Sequence, residues 1–194
     1  MSYPDNQELA AGLKANLEMI LTENRQLLEQ VDLEQVTQLI PYIKGASRIF
    51  LAGAGRSGLS LRAAAMRLMH FGLTVFVVGE TTTPAIREGD LLIAASGSGT
   101  TSTIVKAAEK AVAAKAQVVA FSTTRNSPLG ALSALVMILP AALKDDHART
   151  ISLQYAGSLF EQSLLLLTDA LFQTMWGIDG TPAEEMWKRH ANLE

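Results

Sequence analysis

Ser96, Gly97, Ser98, Gly99, Thr100 and Thr101 place four hydroxyls and two glycines in six consecutive positions. Glycine lets the backbone curl until several N–H groups face one point, and serine and threonine add further donors. That combination suits an anion, above all a phosphate; the plainer reading is a strand–helix turn with hydroxyl caps. A second glycine turn, GAGRSG at Gly53–Gly58, carries Arg56 and Ser57. Gly53, Gly55 and Gly58 satisfy the G-x-G-x-x-G spacing of a dinucleotide-binding turn, and Glu80 stands where a ribose carboxylate would. Against nicotinamide binding, that reading leaves the second loop unexplained and no length for a separate substrate domain. Glu161 lies in the apolar run LFEQSLLLL, with Leu165, Thr168 and Phe172 on its helical face. On residues alone it is a surface glutamate at the edge of an apolar stripe, or a partly desolvated carboxylate fit to act as a base. His190, in the charged tail EEMWKRHANLE, reads by itself as an exposed histidine, and His70 as a core or helix-end residue. The three histidines, His70, His147 and His190, have no metal-ligand spacing, so no metal is expected.

These groups need elements to hold them. Leucines at three- and four-residue steps make Asn6 to about Ile43 helical, with Asp32 capping a second helix over Leu33–Ile43. Strands are expected at Arg48–Ala52, Thr74–Val78, Leu91–Ala95, Gln117–Ser122 and Leu135–Leu139, and helices at Ser57–Phe71, Thr103–Ala114 and Gly157–Trp176. Pro182–Glu194 is expected to form a short helical tail, and Leu143–Tyr155, with Lys144, Asp145, Asp146, His147 and Arg149, a surface segment. Strands alternating with helices imply a parallel sheet covered on both faces. Each glycine loop then follows a strand and opens a helix, whose N-terminus favours negative charge.

The 194 residues fit one domain. A net charge of −3 gives no basic footprint for nucleic acid. There is no apolar run of membrane-spanning length and no signal pattern at the N-terminus. The absence of cysteine excludes disulfides and suits a reducing cytoplasm. Apolar residues at 48% against 18% charged suggest surface buried between subunits, or simply an alanine-rich fold.

GAGRSG, SGSGTT at Ser96–Thr101 and SPLG at Ser127–Gly130 resemble the sugar isomerase (SIS) domain. GSLFEQSLLLLTDAL at Gly157–Leu171, GETTTPAI at Gly79–Ile86 and the ending KRHANLE resemble its 6-phospho-3-hexuloisomerase branch. Two positions depart from the common pattern: Thr100 stands where many members carry Glu, and Ala134 where many carry Asp. The resemblance implies a three-layer α/β sandwich with a five-stranded parallel sheet over residues 46–194. Helices in 1–45 would pack on it or on neighbouring subunits of a homotetramer built from dimers. It implies a cytoplasmic enzyme interconverting D-arabino-hex-3-ulose 6-phosphate and D-fructose 6-phosphate, as in formaldehyde assimilation by the ribulose monophosphate route or in pentose supply. No cofactor is required, because the isomerisation leaves the substrate's oxidation state unchanged. It assigns the phosphate and substrate to Gly55, Arg56, Ser57, Ser96, Gly97, Ser98, Gly99, Thr100 and Thr101, makes Glu161 the base, and makes His190 a proton shuttle, in its own or an adjacent subunit's site. A sibling sugar-phosphate isomerase and a non-catalytic sugar-phosphate sensor are the alternatives, ahead of a dinucleotide-binding protein.

Overall fold

The computed structural model describes residues 4–143 and 151–193, so the charged stretch Lys144 to Arg149 lies outside the described residues. The chain opens with α1 (Asn6–Leu28), α2 (Leu33–Thr37) and α3 (Leu39–Gly45). Asp5 starts α1 through a capping box with Glu8, and Asp32 starts α2 by accepting from the Gln35 N–H. The helix expected over Leu33–Ile43 is therefore two pieces, divided at Gln38.

Five strands and the remaining helices follow: β1 (Ile49–Gly53), α4 (Gly55–His70), β2 (Val75–Val77), β3 (Leu91–Ala95), α5 (Ser102–Ala113), β4 (Gln117–Ser122), α6 (Pro128–Ala131), β5 (Leu135–Ile138), α7 (Ser158–Asp179) and α8 (Ala183–Trp187). All strands are parallel, in the order β2-β1-β3-β4-β5. Apart from Gln117 and Ser122 at the two ends of β4, their runs hold no polar side chain, because both faces are covered. Ile49, Leu51, Leu91, Ile93, Val119 and Phe121 pack with α1 to α4 and α7 on one face. Phe50, Leu92, Ala94, Val118 and Ala120 pack with α5 and α6 on the other. Leu27, Val36, Leu39 and Ile43 belong to the first of these cores, so the second half of the N-terminal segment packs into the domain itself.

Two expectations about local structure change. The tail is helical only over Ala183–Trp187. Beyond it Arg189 turns back, its Nη1 donating to the His70 carbonyl at 3.0 Å while the guanidinium lies on Gly72, and these contacts replace a further helical turn. The short helix α6, not expected from periodicity, is set by Ser127 as cap and Pro128 in its first turn.

With this strand order the chain changes direction across the sheet between β1 and β3. Open parallel sheets bind ligands at such a switch point, outside the carboxyl ends of the strands. Both glycine loops lie there.

Candidate active site

The N-termini of α4, α5 and α7 meet at that edge. Their capping positions are Ala54, Thr101 and Gly157, and none makes a side-chain capping bond. Each helix thus directs the positive end of its dipole outward, with first-turn N–H groups that its cap side chain does not take up. A cavity of about 480 Å³ lies between them, lined by Gly55 and Ser57 of the first loop, Ser96, Gly97, Ser98, Thr100 and Thr101 of the second, and Phe160 and Glu161 of α7. Its size suits a small metabolite.

Within the second loop the hydroxyls bond to one another. Ser96 Oγ lies 2.9 Å from Thr101 Oγ1, and Ser98 Oγ lies 2.8 Å from Thr100 Oγ1. Gly99 takes a φ of +65°, and a Cβ there would overlap the Ser127 side chain. This glycine serves the turn from behind, while Ser96, Gly97, Ser98, Thr100 and Thr101 face the cavity.

Glu161, in the first turn of α7, is only 4% exposed, which decides between the two readings of this residue: it is a buried carboxylate at the cavity wall. Its Oε2 accepts from Arg56 Nε at 2.6 Å. Ser60 Oγ donates to the Glu161 carbonyl at 2.8 Å and fixes the backbone beneath it. Arg56 therefore faces the carboxylate, not the hydroxyl loop, and is absent from the cavity lining. Its side chain is 61% exposed, so it has room to turn toward an incoming anion.

Polar contacts between α1 and α7 anchor this helix. Asn24 Nδ2 donates to Gln162 Oε1 at 2.7 Å, and Ser163 Oγ donates to Asn24 Oδ1 at 3.1 Å. Burial pushes the neighbouring Glu23 carboxyl up, but hydrogen bonds from Ser152, the Leu153 N–H and Gln154 outweigh it and hold it below the usual carboxylate range. Sequence reasoning missed these residues. Asn24 and Gln162 looked like ordinary polar positions on two amphipathic helices, and no short-range signal pairs them.

His190 is not brought to Glu161. It stacks on His70 with ring centroids 3.9 Å apart and lies 4.4 Å from the Trp187 ring. His70 ends α4, fourteen residues beyond Arg56, which places the stack roughly 21 Å from the carboxylate along the helix. Asp169 lies 3.8 Å from Arg67 and takes no part in the cavity.

The first loop shows why its glycines follow a dinucleotide-like spacing. A Cβ on Gly58 would lie 2.5 Å from the Gly53 carbonyl oxygen, and one on Gly53 would lie 2.9 Å from Gly58 Cα. The two glycines let α4 start close against β1. Glu80, the ribose-carboxylate candidate, is engaged in an ion pair with Arg62.

A glycine-and-hydroxyl loop at the switch point of a 2-1-3-4-5 sheet, facing a buried glutamate, agrees with what a comparison with protein families finds. Residues 42–166 match the SIS domain, and the chain belongs to this family. Among its relatives is a 3-hexulose-6-phosphate isomerase of Mycobacterium gastri, 58% identical over 92% of this chain and 90% of that protein. Another, from Bacillus subtilis, is 40% identical over 90% of this chain and 95% of its own length. Among solved structures, a protein of Methanococcus jannaschii with an inferred 3-hexulose-6-phosphate isomerase function superposes with a TM-score of 0.79. It is 30% identical, over 93% of this chain and 99% of that one.

Proposed function

We infer that the protein is a sugar-phosphate isomerase that interconverts D-arabino-hex-3-ulose 6-phosphate and D-fructose 6-phosphate. The observation that carries this reading is one cavity with an anion-receiving end and a basic end. The second glycine loop and the uncapped start of α5 form the first, and the buried Glu161 carboxylate forms the second. The relatives named as 3-hexulose-6-phosphate isomerases support the choice of sugar.

The reaction moves a carbonyl from C3 to C2. In this reading Glu161 takes the C2 proton, and the electron pair forms a C2–C3 enediolate as charge gathers on O3. The same carboxylic acid returns its proton to C3, while a proton passes from O2 to O3. No net electron transfer occurs. The phosphate stays chemically unchanged; its binding through Ser96, Gly97, Ser98, Thr100 and Thr101, in a turn that Gly99 shapes from behind, holds the reacting carbons against the base. Gly55 and Ser57 border the same cavity and would contact the sugar. Arg56 would leave Glu161 as substrate enters and stabilise negative charge on the phosphate or the enediolate.

The proposal extends to a cytoplasmic homotetramer, in which helices within residues 1–45 pack between subunits. Leu9, Leu13, Leu17 and Leu21 support it, forming one stripe of α1 that is 45–69% exposed. His190 would then act as proton shuttle in a neighbour's site, since its own Glu161 is a helix length away. Phosphorylated sugars are retained in the cytoplasm by their charge.

A coupled assay on enzymatically generated hex-3-ulose 6-phosphate, following fructose 6-phosphate, tests the reading. Glu161→Gln is expected to lower turnover by about three orders of magnitude and to keep sugar-phosphate binding. Near-normal turnover in that variant would remove Glu161 from the role of base. Tight binding without turnover by the unaltered protein would make it a sensor.

A further inference from the structure

The second loop is held from behind by residues outside the cavity. The Gly97 carbonyl accepts three hydrogen bonds: from the Thr123 N–H at 2.9 Å, Thr123 Oγ1 at 2.8 Å and Ser122 Oγ at 3.0 Å. A carbonyl oxygen has two lone pairs, so this one is fully occupied. Ser122 ends β4 and is completely buried; Thr123 follows it and is half-buried. Neither lines the cavity.

The consequence comes from peptide geometry. In a planar trans peptide the C=O of one residue and the N–H of the next point in opposite directions. With the Gly97 carbonyl pinned toward the end of β4, the Ser98 N–H is turned away from β4, and Ser98 borders the cavity. One step on, the Gly99 N–H donates to the Ser96 carbonyl at 3.0 Å, and the Gly99 carbonyl accepts from the Leu129 N–H at 3.0 Å. The loop is thus clamped on both sides of Ser98.

We propose that Thr123, seconded by Ser122, is a positioning residue for phosphate recognition: its hydroxyl pins the Gly97 carbonyl and so aims the Ser98 N–H at the anion. This rests on the sugar-phosphate reading above and adds to it a residue that touches no substrate. Pre-aligned donors bind an anion without first being ordered, so the effect falls on affinity before chemistry.

Thr123→Val removes the hydroxyl donor while keeping the side chain's shape and its N–H. Thr123→Ser keeps the hydroxyl. Calorimetric titration with inorganic phosphate and with fructose 6-phosphate, beside thermal melting and turnover, separates the roles. Thr123→Val leaves the Thr123 N–H and Ser122 Oγ on the carbonyl and is expected to weaken both ligands about threefold, with KM rising more than kcat falls, and Thr123→Ser to restore both. Equal melting temperatures for the two variants are expected alongside. Wild-type affinity in Thr123→Val, or affinity as weak in Thr123→Ser as in Thr123→Val, would overturn the brace while leaving the isomerase reading intact. Unaltered protein that binds neither ligand would overturn the phosphate reading, and the brace with it.

Discussion

The two edges of the sheet both carry polar residues and treat them in opposite ways. At the amino-terminal edge, where β1 and β3 begin, Asp90 is 1% exposed and saturated. It accepts from Arg48 Nε at 3.0 Å, Arg48 Nη2 at 2.5 Å and the Arg87 N–H at 2.8 Å. Burial pushes the Asp90 carboxyl up, but those bonds and the two arginine charges prevail and hold it below the usual range. At the carboxyl edge, among the described residues, the hydroxyls of Ser96, Ser98, Thr100 and Thr101 bond within their own loop, and the cap residues of three helices make no side-chain capping bond. Saturation marks polar groups that hold the fold. Donors aimed into a cavity mark groups kept for a ligand, and the cost of leaving them open is offset when it binds.

That contrast breaks if the amino-terminal edge affects chemistry. Asp90→Ala leaves the half-buried Arg48 guanidinium without its carboxylate and the Arg87 N–H without its acceptor, and is expected to cost about 2–3 kcal/mol of stability. Denaturant unfolding measures the loss, and turnover per folded molecule should match wild type. Reduced turnover in the folded fraction would show that the edges are coupled. The contrast sharpens if the carboxyl edge behaves conversely. Ser98 is exposed, so Ser98→Ala should change stability by about 0.5 kcal/mol or less. KM for the sugar phosphate should still rise about fivefold from loss of one donor. A melting temperature that falls with no change in KM would make Ser98 a structural turn residue.

How far each edge was legible follows from the range of its signals. Leu91–Ala95 and Gln117–Ser122 emerge as strands with the expected bounds, because a strand buried on both faces writes a continuous apolar centre, LLIAA in one and VVAF in the other. Glycine and hydroxyl density made the second loop visible within six residues. From its local residues Glu161 was visible only as a carboxylate beside apolar neighbours, and the role of base came from the family resemblance. Its burial depends on α4, and its partner Arg56 is 105 positions away. The brace from Thr123 and the anchor at Asn24 are likewise pairings over long sequence distances that no local period encodes. Ser127 and Pro128 did carry a local cap signal, and four residues are too few for periodicity to register.

The smallest expected effect concerns a third place, the His70–His190 stack at the far end of α4. Burial comes first, followed by the charges of His190 and Arg67, in holding His70 below the usual histidine range. Trp187 and Arg189 close the stack from the tail, and Asp169 faces Arg67. With the folded value lowered, the unfolded chain binds more protons at mildly acidic pH. The stabilisation is therefore complete above about 6.5 and is lost as pH falls through the lower folded value. Thermal midpoints measured from pH 7.5 down to pH 5 should decline in the wild type. In His70→Gln the slope in this range should flatten, whatever the variant's absolute stability. An unchanged slope would assign the acid sensitivity elsewhere. A flattened one ties the seating of His190 to the protonation state of its neighbour. Acid would then disturb the tail that we propose to serve an adjacent subunit while leaving Glu161 and the second glycine loop, a helix length away, in place.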